Sequence, residues 1–264
     1  LDVKTLGINE NLSMRVRTGR NLNKFPLPGA MTKDHRVQME LAMQKVFDAL
    51  IADKKFGGRY VSITPDHKNF IDEKQYDELV KKHIMFKDMS ADKYLLDAGI
   101  ARDWPYGRGC YISEDSGFII WVGEEDHLRI MAMQKGTVLN GPFDRLKAAI
   151  DYIESLIEGG CAKSEEFGVV TSCPTNIGTG MRASVHIKLP NLTKDGTDKQ
   201  AKKILKPLGL SVRGLGGEHT PIGKDGTVDI SPSARFCISE AEILLALYNG
   251  IKACVAEESK AASA

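Results

Sequence analysis

The chain has 264 residues, of which 42% are hydrophobic, and this is enough apolar material for one sizeable core. Its 36 Lys and Arg residues nearly balance its 35 Asp and Glu residues, so the formal net charge is +1. That balance gives no electrostatic reason to expect a nucleic acid or an anionic membrane as the main partner. No apolar run approaches the roughly 20 residues that cross a bilayer, and no secretory signal pattern is visible.

The five cysteines are an odd number, are widely scattered, and include no CxxC pair and no histidine-rich zinc spacing. A disulfide framework is therefore not expected, and a reducing, cytoplasmic location is the natural interpretation. The cysteines are Cys110, Cys161, Cys173, Cys237 and Cys254.

The first predicted elements are a strand that carries arginines and a helix with an N-terminal cap. In "SMRVRTGR", Arg15 and Arg17 alternate with an apolar residue, so both arginine side chains lie on the same side of a strand. Thr32 can cap a helix that continues to about Ala52. The strand-like run "RYVSI" follows, and then "DEKQYDELVKKH" predicts a short amphipathic helix that ends near His83.

The rest of the chain alternates between strands and two further helices. One helix is predicted from Pro142 to Ile157, and the capping-box pair Ser239 and Glu242 predicts the start of another. Short β-branched or aromatic runs bounded by turn residues predict strands: "GRGCYIS", "GFIIWVG", "LRIMAM", "GVVTSC", "MRASVHIKL", "LSVRG" and "GTVDIS". Several are joined by connections too short for a helical crossover, which favours an antiparallel sheet with helices on one side, an α+β architecture.

Three consecutive acids follow one of the apolar strands. Glu124, Glu125 and Asp126 stand between "GFIIWV" and Arg129 in "LRIMAM". A solvated acidic turn is the ordinary interpretation of such a run. The apolar strands on both sides would instead hold the acids at a strand end, where they can bind a cation, either a metal or a guanidinium.

Arginines recur in the strand-like segments. Each is a planar fork of five donors that can grip phosphate oxygens in pairs, although a single one is more often a surface charge. The chain contains no P-loop, no dinucleotide-binding glycine motif and no protein-kinase motif. Several convergent arginines would make a triphosphate site without such a loop, and the candidates are Arg15, Arg17, Arg129, Arg182 and Arg213.

Two further segments offer chemistry. Cys173 ends a strand-like run beside the hydroxyls of Ser172 and Thr175, which could hydrogen-bond a thiolate, whereas an isolated cysteine is usually buried and inert. The glycine-rich stretch "VRGLGGEHTPIGKDG" carries Glu218 and His219. It is either a plain hairpin loop or a flexible lid that delivers Glu218 on closure.

These motifs together resemble one family. "RVRTGR", "WPYGRG", "WVGEEDHLRI", "CPTNIGTGMRASVHIKLP", "VRGLGGEH" and "VDIS" occur in the order and spacing of the phosphagen kinases, the ATP:guanidino phosphotransferases that include arginine, taurocyamine, lombricine and creatine kinases. The resemblance runs from about Ser13 to the final helix. "GEH" after "VRG" is similar to the arginine and taurocyamine kinases, although Pro221 stands where many arginine kinases have an acid, and the lid is slightly longer.

The resemblance implies a fold and a domain organisation. The family's catalytic C-terminal domain is an antiparallel β-sheet flanked by α-helices, shared with glutamine synthetase, and we expect it to cover residues 1–264. Within it, residues 1–12 would be a leader or linker, residues 213–229 a flexible lid and residues 259–264 a frayed tail. Family members also carry a helical N-terminal domain of about 100 residues, which reads the rest of the guanidino substrate. We expect that domain to be absent from this chain and to be its partner.

The resemblance also implies which residues bind the nucleotide. The five arginines would cradle the ATP phosphates, and four further residues match family positions around the adenine and ribose: Ser13, His83, His186 and Asp229. Glu124 and Asp126 would help to hold Mg²⁺ through water.

Three residues are implied in guanidino binding and catalysis. Glu125 and Glu218 would grip the guanidinium, and Glu125 is the first candidate for the base that accepts its proton. Cys173, as a thiolate, would orient the guanidinium without forming a covalent intermediate, because in-line transfer needs only positioning and charge neutralisation. His127 and His219 flank carboxylates and are predicted to be structural hydrogen-bond partners.

Three functions remain open on the sequence alone. The first is a phosphagen kinase that transfers phosphate from ATP to arginine or a related compound such as taurocyamine. The second is a protein-arginine kinase of bacterial type, which shares this domain but carries a further C-terminal domain. The third is a nucleotide-binding domain that is inactive without its N-terminal domain.

Overall fold

The structure is a computed structural model that describes residues 1–214 and 221–262. The helices in those ranges are α1 (Lys33–Ala52), α2 (Glu73–Lys81), α3 (Lys93–Asp97), α4 (Gly141–Leu156), α5 (Lys199–Leu205) and α6 (Glu240–Ala262). The strands are β1 (Leu12–Arg20), β2 (Arg59–Ser62), β3 (Gly109–Ile112), β4 (Phe118–Val122), β5 (Leu128–Gly136), β6 (Lys163–Ser164), β7 (Gly168–Val169), β8 (Met181–Lys188), β9 (Leu210–Arg213) and β10 (Thr227–Pro232).

Eight of the strands in the described ranges form one antiparallel sheet, in the order β2-β3-β4-β5-β1-β8-β10-β9, and β6 pairs with β7 separately. The predicted α+β class is therefore confirmed. The residues group by their spatial contacts into two compact units. The central unit comprises residues 17–132 and 146–180, and the terminal unit comprises residues 1–16, 133–145 and 181–264. Within the described part of the chain, no helix is both long and apolar enough to span a membrane.

The core of the central unit forms where α1 packs on the sheet. The Thr32 side chain accepts from the His35 N–H and the His35 side chain accepts from the Thr32 N–H, so the predicted start of α1 is confirmed. From the buried face of α1, Phe47 stacks on Tyr60 of β2 and Tyr111 of β3, with ring centroids 4.4 and 5.9 Å apart. This aromatic cluster anchors α1 to the sheet.

A tight hairpin turn joins β4 to β5 and carries the three acids. Val122 pairs with Leu128, and the Gly123 N–H donates to the His127 carbonyl at 2.9 Å. Gly123 has a φ of 71°, and a Cβ there would collide with the carbonyl oxygen of Gly107. Glycine is therefore needed at the first position of the turn. The prediction that apolar strands hold the acids at a strand end is confirmed.

In the terminal unit, α6 packs against β8 and β10. The Ser239 N–H and hydroxyl donate to the Glu242 carboxylate, and the Glu242 N–H donates to the Ser239 hydroxyl, so the predicted capping box is present. The buried face of α6 carries the apolar residues that the helical spacing predicts, Ile243, Leu247 and Ile251.

The predicted leader at the N-terminus has structure of its own. Residues 3–6 form a 3₁₀ turn, and the Asp2 side chain caps it by accepting from the Lys4 N–H. Val3 is fully buried, and its N–H donates to the Thr137 carbonyl at 2.9 Å. These contacts make the turn part of the terminal unit rather than an extended linker.

The predicted frayed tail, residues 259–264, is wrong for residues 259–262 because α6 continues to Ala262. The Glu258 carboxylate accepts from the Asn191 side chain and from the N–H groups of Asn191 and Leu192, at 2.7 to 2.9 Å. These bonds hold the last turns of α6 against the loop that follows β8.

The predicted lid, residues 213–229, begins and ends within strands, so these end residues do not belong to a flexible loop. Arg213 lies in β9, and Thr227 to Asp229 lie in β10, paired with β8 and, at Asp229, with β9. Strand pairing therefore fixes both ends of the predicted segment. Residues 215–220, which include Glu218 and His219, lie outside the described residues.

Candidate active site

The hairpin turn between β4 and β5 brings two carboxylates onto one arginine. Arg129 of β5 forms ion pairs with Glu124 at 2.8 Å and with Glu125 at 2.9 Å, using a different terminal nitrogen for each. The Glu125 N–H also donates to the Glu124 carboxylate at 2.9 Å. The Arg129 guanidinium lies over the Trp121 ring, 5.6 Å from its centroid. The arrangement fixes all three charged side chains.

The two glutamates differ in exposure. The Glu124 side chain is 13% exposed, and burial raises its pKa, against the lowering effects of Arg129 and, more weakly, of Arg17. The Glu125 side chain is 31% exposed, so a ligand can reach it from solvent while the turn stays folded. Glu125 is therefore the more accessible carboxylate of the pair.

Asp126 is placed differently from its two neighbours. It is 3% exposed, and its Oδ1 accepts from the Asn21 side-chain amide at 2.8 Å and from the Ser172 N–H at 2.7 Å. Gly19 lies against it, because a Cβ on that glycine would come within 2.5 Å of Asp126 Oδ2. Asp126 thus holds neighbouring segments together.

His127 completes the turn as a neutral, buried imidazole. Its Nδ1 accepts from the Leu22 N–H at 2.9 Å, and its Nε2 lies 2.9 Å from the Pro26 carbonyl oxygen. Because Nδ1 accepts, the proton is on Nε2, which donates to Pro26. Burial lowers the pKa of His127 to about 4. This geometry agrees with the structural role predicted for His127.

Arg108, which was not among the predicted site residues, holds the turn through a hydrogen bond to the Gly123 carbonyl. It is fully buried and donates to three backbone carbonyls, those of Gly123 at 3.1 Å, Tyr106 at 2.5 Å and Ile100 at 2.8 Å. Burial lowers its pKa to about 9. Its place in "GRG", between glycines that open a predicted strand, is the one sequence signal of an unusual arginine.

Cys173 lies in a turn, not at a strand end as predicted, because β7 comprises only Gly168 and Val169. A 3₁₀ turn begins directly after it, over residues 174–176. The predicted hydroxyl neighbour is confirmed for Thr175, whose Oγ1 lies 3.0 Å from Cys173 Sγ. Among the described residues, the buried Ser172 hydroxyl has no hydrogen-bond partner, so it does not hydrogen-bond the thiol. The half-buried Cys173 remains accessible.

The terminal unit assembles a second polar cluster on β8, β9 and β10. Arg182 donates to the Asp229 carboxylate at 3.1 Å and to the Ser231 hydroxyl at 2.9 Å. His186 Nε2 lies 3.5 Å from Asp229 Oδ1. Asp229 stands opposite His186 on β8 and opposite Arg213 on β9 in the strand register. Three predicted nucleotide-binding residues, Arg182, Arg213 and His186, thus lie on strands beside the carboxylate of a fourth, Asp229.

The remaining predicted residues occupy exposed or half-buried positions. Along β1, exposed Ser13 and half-buried Arg15 and Arg17 alternate with buried apolar residues, so the predicted common face is confirmed. His83 is exposed just after α2 and has a φ of 57°. Glu218 lies outside the described residues, and its predicted role stays a prediction.

The acids of the β4–β5 turn fit Mg²⁺ only in part. Within residues 1–214 and 221–262, no group of three or more His, Cys, Asp or Glu side chains could hold a metal ion. Mg²⁺ usually keeps several waters and takes one or two carboxylates plus substrate phosphates. Glu124 fits such a water-mediated role. Asp126 fits it less well, because its Oδ1 already accepts two hydrogen bonds from the protein.

Comparison with known proteins defines the class. Residues 38–261 match the family model described as the ATP:guanido phosphotransferase C-terminal catalytic domain. Because this match covers most of the sequence, the chain belongs to that family, and the resemblance stated from the motifs is confirmed.

Individual relatives span several branches. The chain is 38% identical over 251 residues to an arginine kinase of Anthopleura japonica, covering 94% of this chain and 33% of that protein. It is 38% identical over 255 residues to the testis isozyme of creatine kinase from Oncorhynchus mykiss, covering 96% and 63%. The chain therefore spans about one third to two thirds of the length of these relatives.

Solved structures agree with the fold. The duplicated taurocyamine kinase from Schistosoma mansoni, with bound transition state analog components, is 33% identical with a TM-score of 0.80, covering 98% of this chain and 34% of that one. A lombricine kinase is 31% identical with a TM-score of 0.83, covering 96% and 67%.

Proposed function

We propose that this chain catalyses reversible transfer of the ATP γ-phosphate to a guanidino nitrogen of arginine or a related compound such as taurocyamine. One observation carries the proposal. Glu125 already binds a guanidinium, that of Arg129, at 2.9 Å, in a turn that apolar strands and Arg108 hold in place. A carboxylate fixed in this way is suited to receive the guanidinium of a substrate.

The arginines would bind the nucleotide phosphates. Arg15, Arg17, Arg182 and Arg213 are half-buried on strands, so each holds a guanidinium near solvent on a rigid element. Arg129 is proposed as the fifth arginine of this set. Ser13, His83, His186 and Asp229 are proposed to contact the adenine and ribose.

The chemical step requires the substrate to lose a proton. A protonated guanidinium has no lone pair to attack phosphorus, so a carboxylate must accept a proton as the N–P bond forms. Glu125 is proposed as that base, with Glu218 as the second carboxylate on the guanidinium. Cys173 would orient the guanidinium electrostatically, and transfer would be direct and in line.

Magnesium is proposed as the accompanying metal. When bound to the nucleotide, it would neutralise charge on the phosphate oxygens. Glu124 would accept hydrogen bonds from the water ligands of the ion, since its carboxylate is fixed by Arg129 at the turn. Asp126 fits this role less well because two donors occupy its Oδ1.

The choice of acceptor rests on the sequence motif "GEH", at residues 217–219. Identity does not decide it, since an arginine kinase and a creatine kinase are both 38% identical to the chain. We propose arginine or taurocyamine as the substrate class, read in part by a further domain of the same protein. The five cysteines, free where the structure describes them, fit a reducing cytoplasm.

A panel of acceptors tests the proposal. The protein is incubated with ATP, Mg²⁺ and arginine, taurocyamine, creatine or an arginine-rich protein, and the acid-labile N–P product is measured. We expect product with arginine or taurocyamine. Product on the arginine-rich protein alone would instead identify a protein-arginine kinase, and nucleotide binding without any N–P product would identify an inactive nucleotide-binding domain.

A further inference from the structure

Asn21 joins three segments of the central unit. It follows the last residue of β1 and is fully buried. Its side-chain amide nitrogen donates to Asp126 Oδ1 at 2.8 Å and to the Val170 carbonyl at 3.0 Å, while its side-chain oxygen accepts from the His127 N–H at 2.8 Å. Both hydrogen atoms of the NH₂ group are therefore used. Of the three partners, Asp126 and His127 are buried and Val170 is half-buried.

Asp126 extends the same connection to the cysteine loop. The oxygen that accepts from Asn21 also accepts from the Ser172 N–H at 2.7 Å. In the sequence Asp126 follows Glu125, and Ser172 precedes Cys173. One buried oxygen therefore links the residue next to the proposed base with the residue next to the proposed orienting thiol.

Close packing leaves this link little freedom. A Cβ at Gly19 would come within 2.5 Å of Asp126 Oδ2, so the glycine lets β1 approach the carboxylate. The Asn21 carbonyl accepts from the Ala162 N–H at 2.7 Å, which fixes the asparagine backbone as well. Hydrogen bonds in such a buried network are strong and directional because water does not compete for them.

We propose that Asn21 and Asp126 are positioning residues that hold the Glu125 turn and the Cys173 turn at a fixed separation. This inference rests on the proposed function, in which Glu125 and Cys173 contact the guanidino substrate. Neither Asn21 nor Asp126 contacts the substrate itself. The role replaces the metal-binding role expected of Asp126, whose described bonds go to the protein.

The first test needs no turnover, so its result does not depend on the proposed reaction. Alkylation of Cys173 by iodoacetamide is timed by mass spectrometry in the wild type, in Asn21→Ala and in the matched control Asn23→Ala. Asn23 also donates to a carbonyl, that of Gly159 at 2.9 Å, but it is exposed. We expect Asn21→Ala to change the Cys173 rate about fivefold, the scale of the one hydrogen bond to Asp126 that connects Asn21 with the Cys173 turn, and Asn23→Ala to leave it unchanged.

Buried thiols in the same protein separate a local change from unfolding. Cys110 and Cys254 are fully buried, so they stay unlabelled if the fold is intact. If Asn21→Ala exposes them, Asn21→Ser, which keeps one donor, replaces it in the comparison. An unchanged Cys173 rate in the folded variant would overturn the proposal.

The second test separates positioning from general destabilisation through kinetics. Asn21→Ala should lower kcat about tenfold with unchanged nucleotide affinity, and the same change in a Cys173→Ser background should cost clearly less, as expected for coupled residues. Equal losses in both backgrounds would contradict positioning of Cys173. Absence of guanidino phosphorylation by the wild type would instead refute the proposed function and leave the alkylation result standing.

The third test compares the two roles of Asp126. Asp126→Asn keeps an oxygen that can accept from Asn21 and Ser172 but removes the charge, whereas Asp126→Ala removes both. Positioning predicts that Asp126→Asn retains the wild-type Cys173 alkylation rate and Mg²⁺ requirement, and that Asp126→Ala changes the alkylation rate. A Mg²⁺ requirement raised about tenfold in Asp126→Asn, a difference of about 1.4 kcal/mol, would assign Asp126 to the metal and overturn the proposal.

Discussion

Adjacent acidic residues in the hairpin turn serve different purposes because their surroundings differ. Glu124 is nearly buried, Glu125 is a third exposed, and Asp126 points into the protein. In the proposed reaction, Glu125 meets the substrate and Glu124 meets the water ligands of Mg²⁺, while Asp126 holds neighbouring segments together. A run of three acids does not reveal this division, since exposure depends on contacts with segments far along the chain.

At the residue scale, Arg182 offers a direct test of nucleotide binding. Replacing Arg182 with Ala should weaken MgADP binding by about 2 kcal/mol, because a charge-assisted contact to phosphate is lost. Arg182→Lys should recover only part of this, since a lysine cannot bind two oxygens in parallel. Isothermal titration calorimetry of both variants measures the effect, with the exposed Arg102→Ala as the control. Unchanged affinity in Arg182→Ala would exclude this arginine from the phosphate site.

The lowered pKa of His127 should make the free energy of unfolding depend on pH. Burial lowers its folded-state pKa from 6.5 to about 4. Between these values the unfolded chain binds a proton that the folded protein does not, so stability is complete above pH 6.5 and falls as the pH decreases toward 4. From pH 6.5 to pH 5, this residue should remove about 2 kcal/mol from the free energy of unfolding.

Urea unfolding at pH 7.5 and pH 5 measures this loss. The control is His127→Asn, which can still accept from the Leu22 N–H but does not titrate. We expect the variant to lose less stability than the wild type between the two pH values. Equal losses would show that His127 is not the group responsible.

At the scale of the elements, the β4–β5 turn depends on Arg108. Arg108→Met should destabilise the protein by about 3 kcal/mol or more, because three carbonyls lose their donor, two of them buried and one half-buried, and each unmet buried group costs about 1–3 kcal/mol. The exposed Arg102→Met is the matched control and should be nearly neutral. Urea unfolding measures both. A loss below about 1 kcal/mol in Arg108→Met would mean that the carbonyls find other donors.

The sequence predicted elements well where their signals are local. The cap of α1 joins Thr32 to His35 and the capping box of α6 joins Ser239 to Glu242, so the two residues of each pair lie close together in the sequence. The alternation along β1 is visible within its nine residues. The short helices α3 and α5, with five and seven residues, lacked such signals and were not predicted. The strand before Cys173 was predicted too long because its apolar run pairs over only two residues.

The site was predictable only in part, for a related reason. The arginines, Glu125 and Cys173 were found through motif resemblance and side-chain chemistry. Asn21 was not, because its partner Asp126 lies 105 positions away and only the folded chain brings them together. Arg108 was missed as well, since an arginine that serves only backbone carbonyls has no charged partner to mark it in the sequence.

At the scale of the whole molecule, the five thiols report on the fold. Burial raises the pKa of Cys161 to about 11 and of Cys254 to about 12, and it raises the pKa of Cys110 further. Since the thiolate is the reactive form, these three should be alkylated slowly at neutral pH. The half-buried Cys173 and the exposed Cys237 should be alkylated first.

Substrates should then distinguish the two accessible thiols. If Cys173 lies in the active site, MgADP together with a guanidino substrate should protect it, while Cys237 continues to react at its original rate. Peptide mapping after timed alkylation measures both in one sample. Early labelling of Cys110 or Cys254 would contradict the burial described here, and equal protection of both accessible thiols would argue against a specific site at Cys173.

In the proposed reaction, phosphoryl transfer to a guanidine depends on Glu125 as the base. Steady-state kinetics of Glu125→Gln, with nucleotide and guanidino substrate varied separately, tests this most directly. Glutamine keeps the shape and hydrogen bonding of the side chain but removes the charge that aligns and deprotonates the guanidinium. The exposed Glu165→Gln serves as the control and should behave as the wild type. We predict that Glu125→Gln loses several powers of ten in kcat with nearly unchanged nucleotide affinity. A kcat above about one tenth of the wild-type value, equivalent to only about 1.4 kcal/mol, would contradict the account.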